Sequence, residues 1–223
     1  MLQLPLSFLH RPADISASSS ALPWLLVLMH GVGSNEQDLF GLAPYVPKPF
    51  HVLSLRAPYV MGPSAYGWFE FSVTPQGGRN INEAQEAASR QAVAQTLAAA
   101  AQQLGIPPER VVVGGFSQGG IMSLSLLLTQ PALMHGAMVM HSRLLQQVLP
   151  QLAPAETLQG KQLWLSHGTY DQVIPLANAH AIRDLVATLP VDLSYAEYPS
   201  AHEIIQQELV EAMGWLQGLS AQG

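Results

Sequence analysis

One strand-turn-helix segment constrains this chain more than any other part of its sequence. Three valines at 111–113 lead into Gly114-Gly115-Phe116-Ser117-Gln118-Gly119-Gly120, and an apolar stretch suited to a helix follows. Glycine two residues before and two residues after the serine removes side chains that would clash in a sharp turn. The segment predicts a nucleophile elbow, in which a strained turn exposes the Ser117 hydroxyl above the start of the helix.

A serine in such a turn has a ready partner for oxyanion chemistry. The backbone N–H of Gln118 would point to the place where a tetrahedral oxyanion forms, and the helix dipole would add favourable potential. The five-residue pattern by itself also fits a turn of small residues with no catalytic role. The valine run before it and the apolar helix after it favour the catalytic interpretation.

Composition indicates one folded domain spanning residues 1–223. The chain has 223 residues, 48% of them hydrophobic and only 11% charged, and neither a change of composition nor a run of charges divides it. This length is sufficient for one large domain with a deep core. Disorder is not expected from such a composition.

Charge and residue usage exclude several classes of function. The net charge is -6, with 9 Lys and Arg against 15 Asp and Glu, and no basic stripe marks a nucleic-acid surface. The absence of cysteine excludes disulfides, a thiolate nucleophile and thiolate metal ligands. The histidines show no His-x-x-x-His spacing, so no metal site is expected.

The start of the sequence and its apolar runs favour a cytoplasmic protein that is not integral to a membrane. Residues 1–11 lack a basic start and a small-residue cleavage site, and Pro5 interrupts their apolar run. The longest uncharged apolar stretch, residues 22–29, is far shorter than the roughly 18 residues needed to span a bilayer.

Strand-like and helix-like segments alternate along the chain. Ser34 or Asn35 is placed to cap a short helix, and residues 56–79 read as a loop that forms a pocket wall. Strands are predicted over residues 3–9, 24–29, 51–55, 110–113, 136–140, 162–166 and 192–198, and long helices over 82–104, 117–129, 176–189 and 202–217. This order predicts an α/β fold with a mostly parallel sheet, helices on both faces and ligand chemistry at the carboxyl ends of the strands.

A serine nucleophile needs a base and an acid that orients the base. Asp171 follows an apolar strand that ends at Gly168, so it is the preferred acid, although a turn aspartate that caps the next helix is the alternative. His202, after the last strand and at the predicted start of the last helix, is the preferred base, with a polar cap as the alternative. His30 and His167 each close an apolar strand, where hydrogen bonds to loops are the expected role.

The second oxyanion donor should lie in the loop after the strand that ends at Met29, because that loop is expected beside the elbow. The Val32 N–H is the preferred donor, since glycines on either side free the backbone to aim the amide inward. A glycine-rich turn without a catalytic role is the alternative. Apolar residues in loops on the same side, Trp68, Phe69, Leu144 and Val173, could line an acyl groove, and ordinary packing is the alternative for each.

Six segments together resemble the carboxylesterase and acyl-protein thioesterase family of α/β-hydrolases. They are Leu28-Met29-His30-Gly31-Val32-Gly33, Arg56-Ala57-Pro58, Gly67-Trp68-Phe69-Glu70, the Gly-Phe-Ser-Gln-Gly-Gly segment, His167-Gly168-Thr169-Tyr170-Asp171 and Ala201-His202-Glu203. The chain departs from the family's usual residues at Ala201, Val32 and Glu70, and where it reads His141-Ser142-Arg143-Leu144.

The resemblance implies an α/β-hydrolase fold, with Ser117, Asp171 and His202 as the triad and Val32 and Gln118 as oxyanion donors. It also implies cleavage of lipid-like or small-molecule acyl esters or thioesters, with no metal or cofactor. A lysophospholipase, and an idle member of the fold that binds an acyl ligand or a partner protein, are the alternatives. A dienelactone-type hydrolase usually needs a cysteine that this chain lacks. Exposed apolar residues on the pocket loops are compatible with a homodimer.

Overall fold

A computed structural model describes residues 2–15, 22–73 and 78–222. Within those ranges the chain forms eleven strands. In chain order they are β1 (Phe8–Arg11), β2 (Trp24–Met29), β3 (Phe50–Leu55), β4 (Tyr59–Gly62), β5 (Ala65–Gly67), β6 (Phe71–Val73), β7 (Arg79–Ile81), β8 (Val111–Phe116), β9 (Gly136–Met140), β10 (Lys161–Gly168) and β11 (Val191–Tyr198).

The same ranges contain six α-helices and four short 3-10 helices. The α-helices are α1 (Glu36–Phe40), α2 (Glu83–Leu104), α3 (Gln118–Thr129), α4 (Ala155–Leu158), α5 (Ala177–Val186) and α6 (Gln206–Gln222). The 3-10 helices cover Ala43–Tyr45, Pro108–Arg110, Pro131–Leu133 and Gln146–Gln151. Asn35 caps α1 as expected, because its side chain accepts a hydrogen bond from the Gln37 amide.

The main sheet has the strand order β1-β3-β2-β8-β9-β10-β11. β1 pairs antiparallel with β3, and all the other neighbours pair parallel. The carboxyl ends of β2, β8, β9, β10 and β11 therefore lie at one edge of the sheet, which is where ligand sites of open α/β sheets form.

Both faces of the sheet are covered, which explains the continuous apolar sequence of β2. Leu25, Val27 and Met29 pack into one core with residues of α2, α3 and α5, whereas Leu26 and Leu28 pack into the opposite core with residues of α1 and α6. All the β2 side chains are buried because successive residues point to opposite faces that are both apolar.

Three predicted segments differ most from the structure. The first strand covers residues 8–11 rather than 3–9, and the predicted loop at 56–79 contains two antiparallel hairpins, β4 with β5 and β6 with β7. Residues 74–77 of that loop lie outside the described residues. The last helix begins at Gln206 rather than at His202, so the predicted helix start was wrong by four positions.

No helix in the described ranges combines the length and apolar character needed to cross a bilayer. The prediction of a single domain stays a prediction.

Candidate active site

The serine turn between β8 and α3 has the strained geometry that its sequence predicts. Ser117 has φ 55° and ψ -115°, a backbone conformation that side-chain-bearing residues rarely adopt. The two glycines are needed for close packing: a Cβ on Gly119 would overlap the carbonyl of Met29, and a Cβ on Gly115 would overlap the backbone of Gly119. Strain of this kind persists only where surrounding structure enforces it, and it is concentrated at functional sites.

Two hydrogen bonds join the serine, the histidine and the aspartate predicted from sequence. His202 Nε2 lies 2.9 Å from Ser117 Oγ, and His202 Nδ1 lies 2.6 Å from Asp171 Oδ2. With the proton on Nδ1 donated to the carboxylate, Nε2 is free to accept the Ser117 proton. The arrangement is therefore able to activate a serine hydroxyl.

Asp171 is held as a carboxylate by several donors. Its side chain is fully buried, and Oδ1 accepts hydrogen bonds from the amides of Val173 (2.9 Å) and Ile174 (2.8 Å). Burial alone would raise the pKa of Asp171, but the hydrogen bonds from His202 and from these amides outweigh it and lower the pKa below its usual value. The negative charge that orients His202 is therefore retained at neutral pH.

His202 is carried by a loop between β11 and α6, not by the helix itself. Its side chain is mostly buried, and its ring packs against that of Phe116 with centroids 4.8 Å apart. Because Phe116 directly precedes Ser117, this contact adds to the two hydrogen bonds in setting the orientation of the imidazole.

The two predicted oxyanion donors lie beside the serine. Val32 and Gln118 line the same narrow crevice as Ser117. Within the described part of the chain, no backbone carbonyl outside regular helices and strands accepts from either N–H group. The catalytic role of both amides stays a prediction.

The side chain of Gln118 has a structural role that sequence reasoning missed. Its Oε1 accepts a hydrogen bond from the Trp68 amide, and its Nε2 donates one to the Phe69 carbonyl, both at 2.7 Å. The indole N–H of Trp68 in turn donates to the His30 carbonyl (2.9 Å). These bonds fasten the segment after β5 to the elbow and to the end of β2. A buried glutamine in an apolar turn was the available signal, since buried amides require partners.

A second buried histidine lies behind the aspartate, and sequence reasoning gave it no role. His141 Nδ1 is 3.4 Å from Asp171 Oδ2, and its Nε2 is 3.1 Å from Glu208 Oε2. Ser166 donates to the other oxygen of Glu208 (2.6 Å). These groups are fully buried, and Glu208 lies in the first turn of α6, where the helix dipole favours a carboxylate. No signal in the sequence marks His141. Its unusual backbone conformation, with φ 48°, is seen only in the structure.

Among the described residues, one group of side chains has the composition of a metal site, namely His141, Asp171 and His202, whose ligand-type atoms lie within 4.8 Å of one another. The 2.6 Å contact between His202 Nδ1 and Asp171 Oδ2 is a hydrogen-bond distance. Two ligands each about 2.1 Å from a tetrahedral ion would stand farther apart than that. As arranged, these atoms fit proton sharing better than metal coordination.

His30 and His167 make the loop hydrogen bonds that were expected of them. The His30 ring contacts the Gly31 carbonyl (2.7 Å) through Nδ1 and accepts the Ala57 amide at Nε2 (3.1 Å), an arrangement that needs the neutral ring. His167 Nε2 contacts the Ile174 carbonyl (2.7 Å). Burial lowers the pKa of both histidines.

Because the pKa values of His30 and His167 are lowered, we expect the protein to become less stable as the pH falls. Their native pKa values lie below the value of about 6.5 for an unfolded histidine, so on acidification the unfolded chain binds protons first. Above pH 6.5, the contribution of these two histidines to the free energy of unfolding should not change with pH. Below it, the free energy should fall by up to about 1.4 kcal/mol per pH unit for each such histidine.

Urea unfolding at pH 7.5, 6.5 and 5.5 measures this effect. The His30→Gln variant should show a shallower decrease than the wild-type chain, whatever its stability at pH 7.5. Equal slopes for the two proteins would contradict the role given to His30.

The residues predicted to line an acyl groove separate into two groups. Phe69 lines the crevice at Ser117, and Val173 lines a neighbouring cleft of about 170 Å³. Trp68 is fully buried in the hydrophobic core, and Leu144 is partly buried and packs against that core. A larger cleft of about 630 Å³ shares Val32 and Phe71 with the crevice at Ser117, and Met61 and Ile81 also line it.

Comparison with known proteins gives consistent similarities. A family model described as phospholipase/carboxylesterase matches residues 11–220. An acyl-protein thioesterase 1 of Gibberella zeae is 32% identical over 115 residues, which cover 50% of this chain and 49% of that protein. The matched region thus spans about half the length of that relative. A probable carboxylesterase of Oryza sativa subsp. japonica is 24% identical over 208 residues, covering 87% of this chain and 88% of the relative.

Solved structures share the fold over nearly the whole chain. The Bacillus cereus carboxylesterase superposes with a TM-score of 0.79 at 23% identity, covering 96% of this chain and 94% of the other. The esterase PE8 superposes with a TM-score of 0.78 at 24% identity, covering 96% and 99%.

Proposed function

Because the chain belongs to the phospholipase/carboxylesterase family, we propose that it is a serine hydrolase that cleaves carboxylic esters or acyl thioesters through an acyl-enzyme intermediate. The predicted α/β-hydrolase fold is confirmed by the sheet order and by the structural neighbours. One observation carries the proposal: Ser117 Oγ, the His202 ring and Asp171 are joined by hydrogen bonds of 2.9 and 2.6 Å.

The first half of the proposed reaction transfers the acyl group to the enzyme. Ser117 Oγ attacks the acyl carbonyl carbon while His202 Nε2 accepts the hydroxyl proton. Asp171 keeps the other ring proton on Nδ1 and stabilises the imidazolium that forms. The N–H groups of Val32 and Gln118 donate to the oxyanion. His202 then protonates the leaving alcohol or thiol, and the acyl-Ser117 ester remains.

The second half releases the acid. A water molecule occupies the place of the leaving group and gives a proton to His202 as it attacks the acyl-Ser117 carbonyl. The second tetrahedral intermediate collapses, Ser117 Oγ recovers the proton from His202, and the carboxylic acid leaves. Apart from the attacking water, the groups that act in these steps are side chains and amides of this chain.

A fluorophosphonate probe tests the proposal, because it reacts only with an activated serine. The folded protein should incorporate one equivalent of probe, and peptide mapping should locate it on Ser117. The same protein unfolded in urea should not be labelled, since the imidazole and the hydroxyl are then apart. Absence of labelling, or labelling of another serine, would support instead an idle member of the fold that binds an acyl ligand or a partner.

Further experiments would determine which leaving group and acyl length the proposed hydrolase prefers. A series of p-nitrophenyl esters and matched acyl thioesters of increasing chain length would separate an esterase from a thioesterase. Lysophospholipids added to that series would test the lysophospholipase alternative. The cytoplasmic location and the homodimer stay predictions, and sedimentation measurements would test the second.

A further inference from the structure

Two arginines from distant parts of the chain meet beside the candidate nucleophile. Arg79 begins β7, and Arg143 lies in the segment after β9. Both line the crevice that contains Ser117. Both also line two adjoining clefts, of about 340 and 170 Å³. A ligand that reaches Ser117 through these clefts therefore passes both arginines.

Neither arginine has a carboxylate partner among the residues that the structure describes. Within the described ranges, no Asp or Glu oxygen lies within 4.0 Å of either guanidinium, whereas Arg56, Arg90 and Arg183 each have a carboxylate partner. Glu83 lines one of the clefts, but its carboxylate is more than 4.0 Å from both guanidinium groups. The two positive charges are therefore available to an anion from outside the chain.

Arg143 is the stronger indication of a binding role. Its side chain is half-buried, and its Nε is buried without any hydrogen-bond partner in the described part of the protein. A buried donor without a partner is costly, and such groups in folded proteins call for an explanation. A carboxylate entering the crevice would accept from the part of this guanidinium that lines it.

Arg79 is held in place for the same task. It donates one hydrogen bond to the Val173 carbonyl (2.8 Å), and its guanidinium lies 5.0 Å from the centroid of the Phe71 ring. Among the described residues no other hydrogen bond to this guanidinium is found, so its remaining N–H groups are open to a ligand. Burial, and secondarily the charge of Arg79, lower the pKa of Arg143, which indicates that the two cations repel each other at close range. A negative charge between them would remove that repulsion.

We propose that Arg79 and Arg143 bind a carboxylate carried by the ester substrate, so that the preferred substrates are anionic esters whose charge lies near the scissile carbonyl. This inference rests on the proposed hydrolase function. Guanidinium groups bind carboxylates through paired, charge-assisted hydrogen bonds, which gives both affinity and orientation. The cleft of about 630 Å³ that shares Val32 and Phe71 with the crevice would then hold the uncharged part of the substrate.

Matched ester pairs test the inference with the charge on either side of the ester bond. Monoethyl glutarate is compared with ethyl valerate, which has a methyl group in place of the acyl-side carboxylate. O-Butyrylglycolate is compared with ethyl butyrate, which has a methyl group in place of the alcohol-side carboxylate. The kcat/KM ratio within at least one pair should favour the charged ester by about tenfold or more.

Two variants locate the origin of that preference. Arg143→Gln and Arg79→Gln should each reduce the charged-to-neutral ratio by about tenfold or more. Arg183→Gln is the matched control, because it removes the same charge from a partly exposed arginine on α5 that pairs with Asp184. Its ratio should equal that of the wild-type protein.

The possible outcomes separate the carboxylate inference from the proposed hydrolase function. Turnover of neutral esters without a charged preference in either pair would overturn the inference and leave the hydrolase function intact. A preference that survives both cleft substitutions, or that falls equally in Arg183→Gln, would also overturn it. No turnover of any ester together with no fluorophosphonate labelling would overturn the hydrolase function and the inference together. The wild-type ratio requires no variant, so it decides even where a substituted chain fails to fold.

Discussion

Replacing Ser117 by alanine will lower kcat for a p-nitrophenyl ester by about 10⁴- to 10⁶-fold and will abolish fluorophosphonate labelling. The substitution removes the attacking oxygen, whereas the N–H groups of Val32 and Gln118, the histidine and the aspartate stay in place. Residual turnover is expected from these groups and from substrate binding. Steady-state kinetics and circular dichroism on the same preparation separate lost chemistry from lost structure.

Ser125→Ala is a suitable control for Ser117→Ala. Ser125 is also a buried serine and lies on the same helix, two turns beyond the elbow. Its substitution should leave kcat within about twofold of the wild-type value, since it lies away from the reacting atoms. Ester turnover by Ser117→Ala at a rate near that of the wild-type protein would remove Ser117 from the mechanism.

The second large effect is expected from Asp171→Asn, which should lower kcat by roughly 10⁴-fold. In the wild-type protein both carboxylate oxygens only accept: one takes the amides of Val173 and Ile174, and the other takes Nδ1 of His202. An asparagine has one acceptor oxygen and one donor NH₂ group, so it cannot serve both sets of donors. If the NH₂ group faces His202, the ring proton moves to Nε2, which then cannot accept the Ser117 proton.

The control for this prediction is Asp192→Asn. Asp192 is an exposed aspartate on β11 whose carboxylate accepts a hydrogen bond from Gln162. The same change of charge there should leave kcat within about twofold. A kcat for Asp171→Asn within tenfold of the wild-type value would mean that the carboxylate does not set the tautomer of His202. Another residue behind the ring would then be responsible.

His141, which is buried behind Asp171, is a further neighbour of the carboxylate that Asp171→Asn would alter. His141 stands between Asp171 and Glu208, with one ring nitrogen facing each carboxylate. Glu208 is carried by α6, the helix that follows the His202 loop. The acid and the base of the candidate triad are therefore connected through the protein interior as well as through their direct hydrogen bond.

Some features of the protein could be predicted from short stretches of sequence. The limits of β2 and β9, the cap of α1 and the turn at Ser117 depend on interactions between residues close together in the chain, such as capping, periodicity and glycine at crowded positions. The two hairpins between residues 59 and 81 could not be predicted in this way. Their strands are only three or four residues long and carry little periodic signal.

The sequence by itself determined the alternation of strands and helices, the strained serine turn and the identity of the candidate acid and base, because each rests on residues adjacent along the chain. Tertiary structure alone decided that His141 lies behind Asp171, that Gln118 fastens the Trp68 segment and that Arg79 meets Arg143. These contacts join segments many residues apart. They depend on the order of strands in the sheet and on side-chain packing, which no local pattern encodes.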